Sequence, residues 1–403
     1  MKKLWIPFKK VWKFVVLLFL IMLTFSYAMF QGGFVSWFLF YSFLPFALYC
    51  ICLSFYSLNE LEITRHIPQS DYNAGEALKI TVNVKRKSLF PIFYLFIEDQ
   101  IDDTLTHKKE KAKTLVLPGF RKNFSYEYVI DELPRGEHIF HGFFVKTGDI
   151  LGLVEKEKVQ TNESKIIVYP AYTDLLYRPF ETHFDQGMTA SRERVQRDTT
   201  LAIGVRDYQP GDRFSWINWK ASAKRNEIMT KEFEQRQSHD VFVAMDCAPG
   251  QHFEAVVSFT ASLLRAVLKK GAQIGLLTIS RERATFPIRG GENQLHQLFY
   301  HLAKIEAKCL SSFEKVLETE GMFVQQTVSF LLVSAHLTKP LIEKAGFLGQ
   351  RKGKITLFLI KGEKESPTED ERSLIALANA RNVRVVMVHE GQFGHAFSEV
   401  NLR

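Results

Sequence analysis

Residues 241–250 read Val-Phe-Val-Ala-Met-Asp-Cys-Ala-Pro-Gly, an apolar run that breaks at an acid and a Pro/Gly-bearing loop. A short continuous apolar run bounded by turn residues is the mark of a strand buried on both faces, which predicts a mostly parallel sheet covered by helices. The residues that follow keep that rhythm. His252–Lys270 places Phe253, Val256, Val257, Leu264, Val267 and Leu268 on one helical face and stops at Gly271. Strands are expected at Gln273–Ile279 and Ala284–Ile288, then a helix carrying Leu295, Leu298, Phe299 and Leu302 on one side. Strand Val328–Val333 leads to a helix opened by Thr338 and Pro340. Strand Ile355–Ile360 leads to a helix opened by the capping box of Thr368 and Glu371, and Val383–Val388 closes the set. A doubly wound, mostly parallel α/β domain is expected over 238–403.

Ligands of such sheets bind beyond the carboxyl ends of the strands. Those ends carry Asp246-Cys247-Ala248-Pro249-Gly250 and Ser334-Ala335-His336. No Gly-rich dinucleotide fingerprint follows the first strand, Gly349–Lys354 (GQRKGK) lacks phosphate-loop spacing, and no G-x-S-x-G elbow occurs. The sequence offers no catalytic residue set and no cofactor motif. An uncharacterised hydrolase or transferase using Asp246 with His336 or Cys247 is the competing reading, and it requires those side chains to converge in a cleft within hydrogen-bond reach.

Upstream, the period changes to two. Leu78–Val84, Phe93–Ile97, Thr114–Leu117, Phe124–Ile130, His138–Val145 and Lys165–Tyr169 are short alternating runs, with turns at Asn73-Ala74-Gly75, Pro118-Gly119, Pro134-Arg135-Gly136 and Thr147-Gly148-Asp149. That spacing predicts an all-β, immunoglobulin-like sandwich over 59–172. His138 and His141, three apart on a strand, should point to opposite faces and cannot pair as ligands there. Farther upstream no charged residue occurs between Lys13 and Glu60, and the run divides at Gln31-Gly32-Gly33 into segments near Phe14–Phe30 and Phe34–Ser57. Each is long enough to cross a bilayer, so 1–58 is expected to be a transmembrane helical hairpin. Lys2, Lys3, Lys9, Lys10 and Lys13 precede the first span, which puts the N-terminus and the soluble domains on the cytosolic side of the cell membrane. The net charge of +8 then favours membrane lipids over nucleic acid as its partner. Four Cys without metal or redox spacing fit a reducing compartment.

The connecting segment, 173–237, contains the most distinctive stretch. Its Arg192, Arg194, Arg197, Arg206 and Arg213 are interleaved with aromatics. Pro210-Gly211 suits the centre of a type II turn, Asp212 could bond the backbone just beyond it, and Trp216 and Trp219 could clamp the segment onto the sheet. Three readings stand open: a structural lock built on Arg206 and Asp212, a protein-docking surface, and a nucleic-acid surface.

Gly204, Arg206, Tyr208, Pro210-Gly211-Asp212, Ile217, Trp219-Lys220 and Ala223, with Pro134-Arg135-Gly136 and Gly148–Leu153 (GDILGL), resemble the signature of the bacterial family catalogued as domain of unknown function 58. The resemblance implies a von Willebrand factor A-like α/β domain. Such domains often hold Mg²⁺ through a D-x-S-x-S loop, and here Asp246 is kept while Ala248 and Gly250 stand at the two Ser positions, so a metal is not expected. The resemblance also implies a MoxR-type AAA+ ATPase as partner, hence a non-enzymatic membrane-bound adaptor or assembly factor. Arg206, Tyr208, Gly211, Asp212, Trp216, Trp219 and Lys220 would be its interaction residues. A homo-oligomer stays open.

Overall fold

The computed structural model describes residues 2–102, 105, 111–178, 196–209, 212, 214–236, 240–280, 283–309, 312–320, 328–352 and 355–397. It divides into two compact units, 1–169 and 170–403.

The first unit opens with helices α1 (Lys2–Gln31) and α2 (Phe34–Phe55), joined at Gly32, whose positive φ of 61° favours glycine at that turn. Trp12–Gln31 and Phe34–Phe55 are long and apolar enough to cross a membrane. Phe30, Phe34, Met22 and Phe38 stand out from their surfaces. With no charge to oppose it, this apolar side suits lipid.

Strands β1 (Leu61–His66), β2 (Asp71–Asn73), β3 (Leu78–Arg86), β4 (Tyr94–Ile101), β5 (Lys113–Val116), β6 (Asn123–Ile130), β7 (Gly136–Gly148) and β8 (Glu155–Tyr169) follow. They form an antiparallel sheet β1-β3-β6 and a second sheet β2-β8-β7-β4-β5. β3 alternates as its sequence requires: Leu78, Ile80, Val82 and Val84 are buried, and Lys79 and Lys85 are exposed. β8 starts well before the expected Lys165 because Glu155–Glu163 is too polar to register as apolar alternation. It is held by pairing with β7 along nearly its whole length. A register shift between Phe140 and Gly142 bulges β7. His138 is buried there and His141 exposed, as their spacing required.

The core of this unit does not stop at the helices. Leu17, Ala47, Cys50 and Leu53 belong to the same buried cluster as Leu61, Ile63, Leu95 and Phe143. At its polar centre the Arg65 side chain has no exposed surface. Its Nε donates to Asp99 Oδ2 at 2.8 Å, its Nη2 meets Asp99 Oδ1, and its Nη1 donates to Asn162 O and Ser164 Oγ, both at 3.0 Å. The guanidinium lies 4.7 Å from the ring centres of Phe140 and Phe143, and the Tyr128 hydroxyl donates to Asp99 Oδ2 at 2.6 Å. A buried charge is tolerable only when paired and fully hydrogen-bonded, which is the arrangement here.

The second unit holds a hairpin, β9 (Gln196–Asp207) and β10 (Met229–Arg236), with helix α3 (Trp219–Arg225) between its strands. Then come β11 (Val241–Met245), α4 (Phe253–Lys269), β12 (Ile274–Ile279), β13 (Arg283–Arg289), α5 (Glu292–Lys304), α6 (Phe313–Glu320), β14 (Ser329–Ser334), α7 (Lys339–Lys352), β15 (Ile355–Lys361), α8 (Glu369–Ala380) and β16 (Val383–His389). The sheet order is β13-β12-β11-β14-β15-β16, parallel except for the edge strand β13. β11 and β15 are buried at every position, which is why their sequences are apolar without alternation. Residues 171–177 lie along α4: Thr173 N donates to Ser262 Oγ, Ser258 Oγ to Ala171 O, and the Arg265 guanidinium sits 4.4 Å from the Tyr172 ring centre.

Candidate functional site

β11 is the point at which the sheet changes direction: the chain leaves it for β12 on one side and later returns beside it as β14. The carboxyl ends of β11 and β14 therefore flank the crevice where α/β sheets bind ligands. Asp246 ends β11 and Ser334 ends β14. Asp246 Oδ2 accepts from the Ser334 hydroxyl at 2.6 Å and Oδ1 accepts from the Ala248 amide at 2.9 Å. Asp246 is 7% exposed, and both of its carboxylate oxygens are engaged by the protein itself. Ser334 Oγ also accepts from the His336 amide at 3.0 Å, which stitches the loop after β14 to the one after β11.

The loop after β11 has little room for further ligands. A Cβ at Gly250 would lie 3.0 Å from His336 Nε2, so the imidazole fills the space that a serine side chain would need. Cys247 is 1% exposed and its thiol points to Met245 O at 3.7 Å, so it is a core residue rather than a nucleophile. His336 reaches Ser334 through its main chain. Among the described residues, the Asp246 carboxylate is taken up by Ser334 and the Ala248 amide, whereas general acid–base work would need it, or the thiol, hydrogen-bonded to the His336 ring.

A second polar group ends β15 and β16; the sequence marks His252, Thr368 and Glu371 only as helix starts and gives no sign of Lys361, Glu365 or His389. Lys361 Nζ donates to Glu371 Oε1 at 2.6 Å and lies 3.4 Å from Glu365 Oε1. Glu365 Oε2 lies 3.0 Å from His252 Nε2, and its carbonyl lies 3.1 Å from His389 Nε2. Burial works to raise the Glu371 carboxyl, but the Lys361 ammonium and the Thr368 amide outweigh it and hold it below the usual range. The capping box of Thr368 and Glu371 is complete. The group ties the starts of α4 and α8 to the sheet edge. Among the described residues no cluster of His, Cys, Asp and Glu could hold a metal ion.

The hairpin carries the signature residues. Arg206 Nη2 pairs with Asp212 Oδ1 at 2.8 Å, and Asp212 Oδ2 accepts from the Gln209 amide at 3.0 Å. Arg206 first, and then that amide, hold the Asp212 carboxyl below the usual carboxylate range. Among the described residues, the amide that Asp212 bonds lies three residues before it. Tyr208 N donates to Ile228 O and Asn218 N to Met229 O, so the loop is closed at its base. Asn218 caps α3 by accepting from Ala221 N at 3.2 Å. Trp216 is partly buried, but Trp219 is 68% exposed, which does not suit a clamp; as the first residue of α3 it projects outward, next to the exposed Lys220. Phe214 and Ile228 are exposed on the same stretch, at 78% and 52%. Pro210, Gly211, Arg213, Arg192 and Arg194 lie outside the described residues, as does the side chain of Arg197.

Residues 204–400 match the family described as protein of unknown function DUF58. The chain is 38% identical over 385 residues to the uncharacterized protein YeaD of Bacillus subtilis, covering 94% of this chain and 96% of that one. Among solved structures, the CARDB domain of the PF1109 protein from Pyrococcus furiosus is 12% identical, covers 27% of this chain and 86% of that one, and has a TM-score of 0.20. Proximal thread matrix protein 1 from the mussel byssus is 12% identical, covers 41% and 46%, and has a TM-score of 0.29. Likenesses that low carry no argument about fold or function. The near full-length relative and the match over the hairpin and the α/β sheet together make this chain a member of the DUF58 family.

Proposed function

We propose that this chain is a non-enzymatic adaptor, anchored in the cell membrane by α1 and α2 with its N-terminus and both units on the cytosolic side. Its first unit is an immunoglobulin-like spacer and its second a von Willebrand factor A-like docking domain, a reading supported by the strand order and the single antiparallel edge strand. The partner is a MoxR-type AAA+ ATPase, by family resemblance.

The observation that carries the proposal is the exposed stretch of the hairpin. A loop tied by the Arg206–Asp212 pair and capped by Asn218 nevertheless presents Phe214, Trp219 and Ile228 to solvent beside Lys220, Lys224 and Arg225. Large apolar side chains on a well-braced scaffold are the composition of an interface anchor, where Trp and Arg dominate binding energy. The lock and the docking face thus divide one segment between them: Arg206 and Asp212 brace it, and Phe214 and Trp219 are displayed on it.

In-cell crosslinking of the tagged full chain, followed by mass spectrometry, tests the proposal. An AAA+ ATPase should be recovered, and Phe214→Ser/Trp219→Ser should reduce recovery at least about tenfold while leaving membrane insertion and folding intact. Equal recovery with the double variant would move the docking face elsewhere. A saturating crosslink without any ATPase would overturn the partner.

A further inference from the structure

We propose that the chain binds the phosphate headgroup of an anionic phospholipid in a pocket between Lys13 and Phe14 of α1, the end of α2 and the start of β8. The inference rests on the reading that α1 and α2 span a membrane. The pocket has a volume of about 560 Å³, within the range of small-ligand sites. Its depth is set by the helices: Lys13 lies at the start of the first apolar span, and Ser57 and Asn59 follow the end of the second. That level is the membrane–water boundary, where headgroups reside.

Charge selects the ligand. Lys13, Lys156 and Lys158 line the pocket with Glu155 and Glu157, and Lys146 stands beside both glutamates, at 3.5 and 3.4 Å. Four ammonium groups thus face two carboxylates. Lys146, shared between the glutamates, offsets one of their two charges, and Lys13 reaches Glu155 at 3.5 Å, so the group stays net positive. Lys156 is committed to structure: its Nζ donates to Ser54 O at 2.6 Å and to Tyr56 O, capping the last turn of α2. Lys158 gives one N–H to Leu58 O at 3.3 Å and Lys13 one to Gly152 O at 2.9 Å, and an ammonium carries three. Lys13 and Lys158 therefore retain donors for a phosphate.

The neighbouring turn supports a lipid rather than a soluble phosphate. Ile150 and Leu151, next to the Gly152 that Lys13 grips, are 67% and 59% exposed. Apolar side chains at this level would enter the acyl layer beside the headgroup, and Phe14 lines the pocket on the helix side.

The test uses full-length protein in mild detergent, with native mass spectrometry in mixtures of phosphatidylglycerol and phosphatidylcholine of equal chain length. Phosphatidylglycerol should be retained at least about tenfold over phosphatidylcholine, and Lys13→Gln/Lys158→Gln should bring the ratio to about one. Lys79→Gln/Lys85→Gln, on the outer face of β3, should leave it unchanged. No preference in the wild type, or a preference that survives the Lys13/Lys158 change, would overturn the pocket. Displacement by millimolar inorganic phosphate would overturn the lipid as its source. The wild-type competition stands even if the double variant fails to fold. An alkaline carbonate wash of membranes checks the anchor separately: protein that stays in the membrane without headgroup preference refutes the pocket alone, while protein that washes out refutes the span.

Discussion

Replacing Arg65 by Met would remove the guanidinium from a site where both it and Asp99 have no exposed side-chain surface. Methionine can keep the contacts with Phe140 and Phe143, so the loss is chiefly electrostatic. Asp99 would keep the Tyr128 hydroxyl as a donor but lose two guanidinium contacts, leaving a buried carboxylate without a counter-charge. Breaking a buried pair on one side costs about 3–5 kcal/mol. Hydrogen exchange of the β4 amides, measured in the full chain in detergent, reads this directly. At about 1.4 kcal/mol per factor of ten, exchange through unfolding of the unit should speed up by about two to four powers of ten. Arg65→Met/Asp99→Leu leaves no charge buried and should recover most of that loss, because an apolar pair of similar volume is often neutral relative to an ion pair. A single variant that exchanges within tenfold of wild type, or a double variant worse than the single, would refute the reasoning. The first result would mean that water reaches Asp99, and the second that the geometry of the cluster matters more than its charge.

Gly142→Ala should destabilise the same unit by about 1–3 kcal/mol, because the new Cβ would lie 2.2 Å from the Gln160 carbonyl in the bulge of β7; chemical denaturation measures it, and a shift below 0.5 kcal/mol would mean the bulge relaxes freely. Ser334→Ala takes the hydroxyl from the buried Asp246 carboxylate and should cost the second unit about 1–3 kcal/mol, read by thermal unfolding; no change would show that solvent already serves Asp246. Burial holds His301, 2.6 Å from the Thr278 hydroxyl, below the ordinary imidazole pKa, and so favours the neutral ring in the fold. The unfolded chain therefore takes up a proton first as pH falls below about 6.5, and stability should decline from there toward the lower folded-state value. His301→Gln should flatten that part of a stability–pH curve, and an unchanged slope would assign the decline to other groups.

The α/β sheet was legible because its strands are buried on both faces: Val241–Met245 and Ile355–Ile360 declare themselves by continuous apolar character, and Thr368 with Glu371 declares the start of α8. α6 is hard to read because its eight residues make little more than two turns, so Phe313, Val316 and Leu317 at i, i+3, i+4 do not repeat. The β9–β10 hairpin escaped for another reason: its strands are joined by a long signature loop and a short helix, so nothing local in the sequence reveals their pairing. At the sheet edge the carboxylate of Asp246 could be placed at a strand end, but its bond to Ser334 spans 88 positions, and only the fold brings the two together. Trp219 misled because tryptophan is a costly residue to expose, and a loop reading assigns it to the core by default. The pocket at Lys13 and Lys158 draws on segments far apart in the chain, and neither the uncharged 54–59 nor the alternating Glu-Lys-Glu-Lys of 155–158 marks a site by itself.

The buried cluster that runs from Leu17 and Leu53 into Ile63 and Phe143 has a mechanical consequence. Only the short stretch from Tyr56 to Glu60 separates α2 from β1, and Lys156 and Lys158 bind its carbonyls, so there is no slack tether between them. The β unit should therefore share the tilt of α2. In a thinner bilayer the helices must lean to hide their apolar length. The strands of the first unit would lean with them, β1 foremost, so that lipid thickness sets the angle of that β unit to the membrane.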